Sequence, residues 1–169
     1  MSVDNLPQGI ASGMTLACLS LALCLTAPPS QAEGMAGWKD LGNEVLMEGK
    51  TQLRWTKGDS GQDVNWEDAK AFCAKLGMGW RLPSADELSN VYADAERDGS
   101  SAACGSASCK VSPLFKLSGN WYWSGTEVTK DESARSHVLV WGVLLVNGQR
   151  NQTFKFMPHG GRALCVQPS

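Results

Sequence analysis

The chain has 169 residues, with 15 Lys and Arg against 17 Asp and Glu, a formal net charge of −2 and 43% hydrophobic residues. A balance so close to neutral excludes a strongly basic nucleic-acid binder and a long acidic tail, and a chain of this length holds one ordinary domain. Seven Trp and six Cys point instead to a tightly packed unit braced by disulfides in an oxidising compartment.

In chain order, residues 16–25 (LACLSLALCL) come first, an apolar run of signal-peptide length and too short to cross a bilayer. Pro28, Pro29 and the small-x-small step Ser30-Gln31-Ala32 follow. The expectation is export to a periplasm, the cell surface or the medium, with residues 1–32 removed. Residues 33–43 then form a lead-in and residues 44–169 the domain. No second apolar run reaches membrane length, so no stable insertion is expected after cleavage.

Loss of Cys18 and Cys24 with the leader leaves Cys73, Cys104, Cys109 and Cys165. An even set reads as a disulfide framework, and its pairing is not dictated by spacing alone. Cys104 and Cys109 bracket the small, flexible tetrapeptide GSAS, which suits a tight local bridge and leaves Cys73 for Cys165. A metal or redox role for CGSASC fits poorly, since the spacing departs from Cys-x-x-Cys and only His137 and His159 offer imidazole. No metal site and no cofactor are expected.

Residues 44–56 read as a hairpin, with Val45 and Met47, a Glu48-Gly49 turn, then Leu53 and Trp55 alternating with polar residues. Trp66, Ala69, Cys73 and Leu76 recur at helical spacing with Phe72 beside them, predicting a helix over 66–76 stopped by Gly77 and Gly79. In WRLPSADEL, Pro83 forces an extended step, and Ser84 with Glu87 three residues on is a capping box. A second helix therefore runs from Ala85 to about Glu96 or Arg97, burying Leu88, Val91, Tyr92 and Ala95. Arg81 is expected to bond backbone carbonyls or a carboxylate beneath this bridge. Residues 98–112 read as a loop, and 121–125 (WYWSG) as a strand whose Trp121 and Trp123 share a face. The charged stretch 126–135 is loop, and 137–146 (HVLVWGVLLV) is a central strand covered on both sides. Asn147-Gly148 predicts a type I′ turn. A return strand over 149–156 puts Phe154 and Phe156 on one face, and 163–166 closes the sheet.

A hairpin, two helices, a disulfide loop and an antiparallel sheet ending on a cysteine is the order of a C-type-lectin-like domain. The segments GKTQLRW, VNWEDAKAFCAKL, WRLPSADEL, YWSGTE, VNG and RALCV, spread over about residues 40–167, together resemble the Lcl C-terminal domain family, a secreted or surface module of bacteria. The resemblance implies an α+β C-type-lectin-like fold with two helices on a small twisted antiparallel sheet. It also implies, from adhesin members, binding of sulfated glycosaminoglycans. No collagen-like Gly-X-Y tract is present. Trp66, Asp68, Ala69, Phe72, Cys73, Arg81, Leu82, Pro83 and Glu87 are also similar to segments of the formylglycine-generating, sulfatase-modifying enzymes, with Leu88 where those carry Trp. Counterparts of their later metal and active-cysteine segments are missing.

Function is expected to reside in charge, since the tryptophans read as core packing, Trp38 and Trp141 being the hardest to place. No nucleophile, phosphate-loop or paired-carboxylate motif appears, nor the Glu-Pro-Asn, Gln-Pro-Asp or Trp-Asn-Asp tripeptides of calcium-dependent sugar sites. Residues 33–100 hold 13 acidic and 8 basic residues, a net of −5, and residues 101–169 hold 3 and 7, a net of +4. The basic set, Lys110, Lys116, Lys130, Arg135, Arg150, Lys155 and Arg162, either forms a patch for an anionic partner or averages out on folding. Arg150 and Lys155 are the first candidates for ligand contact, with Lys130, Arg135 and His159 on the loops 126–135 and 157–161. The reading is a secreted, non-catalytic module for an anionic polysaccharide or a surface protein. The alternatives are a reduced formylglycine-type enzyme, which needs a free thiol, and a structural envelope protein.

Overall fold

A computed structural model gives a compact unit over Gln31–Ser169. Within it, residues 33–34, 37–128, 138–157 and 161–169 are described. The elements are β1 (Glu33–Gly34), β2 (Trp38–Gly42), β3 (Val45–Glu48), β4 (Arg54–Thr56), α1 (Trp66–Ala74) and α2 (Ala85–Asp98). They continue with β5 (Ala102–Cys104), β6 (Ala107–Cys109), β7 (Trp121–Glu127), β8 (Leu139–Leu144), β9 (Arg150–Phe154) and β10 (Val166–Gln167). They form a five-stranded sheet in the order β1-β2-β3-β4-β10, a small hairpin β5-β6 and a three-stranded sheet β7-β8-β9. All the strand pairs are antiparallel. The stretch expected as a lead-in thus supplies β1 and β2, with Trp38 only 2% exposed.

Both helices start where the sequence places them. Asn65 caps α1 by accepting from the Asp68 amide, and Ser84 caps α2 in a complete capping box with Glu87. The helix α1 ends at Ala74 rather than Leu76. Gly77 and Gly79 take positive φ immediately beyond, so Leu76 turns out to solvent instead of joining the buried stripe. Gly99, in the left-handed region, closes α2.

Two apolar clusters form. Trp38, Leu46, Trp55, Leu88, Val91, Val111, Phe115, Tyr122, Val143 and Leu145 join the five-stranded sheet, α2 and the 104–117 segment. Trp66, Ala69, Cys73, Leu82, Trp123 and Val140 join α1 to the other face of the β7-β8-β9 sheet. The closing segment alternates between them, Leu164 and Val166 in the first cluster and Ala163 and Cys165 in the second, all fully buried. The period-2 alternation of an extended chain thus lets four residues serve two cores. The bridges Cys73–Cys165 and Cys104–Cys109 are both present, as read.

Three local expectations are corrected. Residues 98–112 are not plain loop, since the local bridge closes the hairpin β5-β6. The strand expected over 137–146 is β8, starting at Leu139, with His137 outside the described residues. Asn147-Gly148 does not make a type I′ turn, because Asn147 lacks positive φ. A five-residue link, 145–149, joins β8 to β9 instead, held by the Gly148 amide on the Leu144 carbonyl at 2.8 Å, with Leu145 drawn fully into the core. Gly148 lies against Tyr92, where a Cβ would come 2.5 Å from the ring.

Candidate binding groove

The segment Trp80-Arg81-Leu82-Pro83 is the floor of the strongest candidate site. Arg81 exchanges backbone hydrogen bonds with Val166, 2.9 Å each way, and the Pro83 carbonyl accepts from the Gly125 amide at 2.7 Å. This ties the step between the helices to both sheets. A Cβ at Gly125 would stand at ordinary contact distance, 3.4 Å, from the Leu82 carbonyl oxygen. The Arg81 guanidinium makes a two-pronged pair with Glu87, 2.8 Å on each arm, and also donates to the Leu82 carbonyl. The structural role expected of Arg81 is therefore what is found. The pairing holds the Glu87 carboxyl below its ordinary range, chiefly through the hydrogen bonds from Arg81.

Between this bridge, α1 and β7 lies a cavity of about 380 Å³, walled by Lys70, Trp80, Arg81, Ser84, Gly125 and Thr126 over buried Leu82. Lys70 is held with its ammonium 3.7 Å from the Trp66 ring centroid, and Lys155 approaches the same ring at 4.7 Å. Trp66 is fixed by its indole donating to the Ser124 carbonyl at 2.8 Å. Thr126 is fixed by accepting from the Ala85 amide. Trp80 is half-buried and also walls a second cavity of about 400 Å³ with Asn43, Glu44, Val45, Thr56 and Leu76. An indole face, an ammonium, a guanidinium and two hydroxyls around an apolar floor can stack a sugar ring and donate charge-assisted hydrogen bonds.

Of the sequence-predicted site residues, the two that are described, Arg150 and Lys155, are not brought together. Arg150 reaches back to α2, donating to Ser89 at 2.7 Å and pairing with Asp86 at 2.7 Å. Lys155 lies on the opposite face of the sheet beside Trp66, paired with Glu127 at 2.8 Å. Lys130, Arg135 and His159 fall outside the described residues. The charge asymmetry largely resolves into ion pairs between the halves: Lys110 with Glu96, Lys116 with Glu44, Arg150 with Asp86 and Arg162 with Asp63. Lys70 and Trp80 were not singled out as ligand contacts from the sequence. Both sit in segments with strong helix or turn signatures, and nothing in one-dimensional spacing says which indole keeps an open face.

Among the described residues, no group of three or more His, Cys, Asp and Glu is placed to hold a metal ion. No helix among them is long and apolar enough to cross a membrane.

The sequence pattern of the Lcl C-terminal domain family matches residues 44–167. None of the curated proteins matches the chain significantly. Among solved structures, a complex of a von Willebrand factor A1 domain mutant with botrocetin contains a chain 12% identical, with a TM-score of 0.43, covering 77% of this chain and 100% of that one. Botrocetin follows at 15% identity, TM-score 0.42 and coverage of 79% and 96%. The snake venom toxin convulxin is 16% identical, with a TM-score of 0.42 and coverage of 77% and 98%. So distant a likeness carries no argument about fold family or ligand; the chain's own two helices and antiparallel sheets make it the expected α+β class.

Proposed function

This chain belongs to the Lcl C-terminal domain family, and on that premise we propose that it is an exported binding module without a catalytic centre. It takes an anionic polysaccharide into the groove beside Trp80. The observation that carries the reading is the composition of that cavity: a half-buried indole with the cations of Lys70 and Arg81 around about 380 Å³ of space. Lys155, the residue retained from the basic set, adds charge at the neighbouring Trp66 ring. The ion pairs around the groove do not preclude an anionic ligand. Surface pairs are worth about 0–1 kcal/mol, so a sulfate or carboxylate can take the place of Glu67, which pairs with Lys70 at 2.9 Å.

Export is supported by the leader-like residues 16–25 and by two disulfides in one small domain. The enzyme alternative needs a free thiol, and the four cysteines of the folded unit are all bridged. A protein ligand is the second reading, favoured by the exposed, stacked pair Phe154 and Phe156 with centroids 5.2 Å apart. The test is binding of the protein to sulfated, carboxylated and neutral oligosaccharides at two salt concentrations, with Trp80→Ala and Lys70→Ala alongside. Charge-selective binding that weakens with salt and drops about tenfold or more in either variant supports the groove. Binding indifferent to charge, or unaffected by both variants, removes it.

A further inference from the structure

Among the described residues, four of the large exposed hydrophobics, Val146, Phe154, Phe156 and Met157, border one strand, β9. Among the described residues that strand is at the edge of its sheet and pairs with β8 alone. Natural edges are usually blunted with charged side chains, proline or a bulge. The sequence of β9, Arg-Asn-Gln-Thr-Phe, has no proline and its register with β8 is unbroken from Arg150 to Phe154. Its one charge, Arg150, and Lys155 just beyond the strand are drawn into pairs with Asp86 and Glu127.

The direction of its free groups follows from the bonds it makes. The Gln149 carbonyl accepts from Leu144 and the Lys155 amide donates to Val138, both towards β8. Because backbone groups alternate in direction along an antiparallel strand, Asn151 and Thr153 also face β8. Arg150, Gln152 and Phe154 therefore present their N–H and C=O groups outward.

We infer that β9 is a self-association edge, at which a second copy of this chain adds its own β9 in antiparallel register centred on Gln152. The choice of occupant rests on self-complementarity. About that centre Gln152 faces the other copy's Gln152, and Arg150 faces the other copy's Phe154, twice by symmetry. All three positions carry outward backbone groups, so each facing pair is of the hydrogen-bonded kind and exchanges both of its bonds. Side chains 150, 152 and 154 share a sheet face. Each Arg150 guanidinium, 41% exposed in its pair with Asp86, thus meets an aromatic ring across the junction. Phe156, 67% exposed, runs past the strand end towards the other copy's turn, where Val146 is exposed. The result is a continuous six-stranded sheet that presents two Trp80 grooves on one particle.

The experiment is sedimentation velocity of the protein from about 1 to 500 µM, with Gln152→Pro and Phe156→Ser. Proline at 152 removes an outward N–H and no bond to β8, which a strand edge tolerates. Phe156 lies outside the strand and is mostly exposed, so its replacement leaves the fold intact. The expected result is a concentration-dependent dimer whose dissociation constant rises at least tenfold in each variant. A monomer throughout the range overturns the inference, and so does a dimer that both variants leave unchanged. Oligosaccharide binding by a monomeric protein leaves the groove reading standing while this one fails.

Discussion

The two disulfides differ in what they contribute, and the difference can be worked from the chain alone. Cys73–Cys165 spans 92 residues and Cys104–Cys109 spans 5. If a bridge acts mainly by restricting the unfolded chain, the long loop is worth about 4.6 kcal/mol at 25 °C and the short one about 2.1 kcal/mol. All four cysteines are buried, none above 1% exposed, so replacing either pair with alanine leaves a comparable small void. The packing losses then nearly cancel between the two double variants, and the loop difference of about 2.5 kcal/mol remains. The assay is equilibrium urea unfolding of Cys73→Ala/Cys165→Ala and Cys104→Ala/Cys109→Ala beside the parent. The long bridge is predicted to cost about twice as much as the short one. It takes with it the tie between α1 and the segment feeding both cores, so the first variant also unfolds at lower temperature. Equal losses, or a larger one for the 104–109 pair, refute the loop argument and show the β5-β6 hairpin to be the stronger brace.

Other consequences follow from single positions. Gly142→Ala puts a Cβ 1.9 Å from the Trp121 ring and is expected to cost about 1–3 kcal/mol by overpacking, read in thermal unfolding; an unchanged midpoint contradicts the placement of Trp121 over Gly142. Burial raises the Glu48 carboxyl above its ordinary range, so this group favours the fold at low pH and loses that contribution as pH rises through the raised value. Glu48→Gln, which keeps an acceptor for the Trp55 indole, should therefore stabilise the fold at neutral pH and give no advantage below the ordinary carboxylate range, read in urea unfolding at the two pH values. Ser84→Ala removes the α2 cap at about 1 kcal/mol. Glu87, lowered by Arg81, contributes stability above the ordinary carboxylate pKa that is lost as pH falls through its depressed value. Arg81→Ala should flatten that acid limb in unfolding curves taken against pH.

What was legible in the sequence was what short-range chemistry fixes. The Ser84–Glu87 box, the stripe of Trp66, Ala69 and Cys73, the hairpin over 44–56 and the local Cys104–Cys109 bridge need only neighbours or spacing to be read, and Cys73–Cys165 follows as the pair left over. The misreadings lie where tertiary demand overrode local preference. Asn147-Gly148 has the composition of a tight turn, yet the core takes Leu145 and lengthens the loop. Leu76 continues a helical period, but the two glycines after it end the helix early. Among the described residues the charge asymmetry largely resolves into pairs distant in sequence, of which Arg162–Asp63, about a hundred residues apart, is the extreme. The groove itself was hidden for the same reason. Lys70, Trp80 and Thr126 come from three segments that meet through long-range ties, Arg81 with Val166, Gly125 with Pro83 and the Trp66 indole with the Ser124 carbonyl.

The account's central claim is that the Trp80 groove is where ligand enters. Its most direct test is a titration of the isotope-labelled protein with a sulfated oligosaccharide, following the seven indole N–H resonances. The account predicts that Trp80 moves first and furthest, with Trp66 next through its two lysines, while buried Trp55 and Trp123 stay in place. Shifts confined to Trp121 or Trp141, or no shift in any indole at saturating ligand, contradict it.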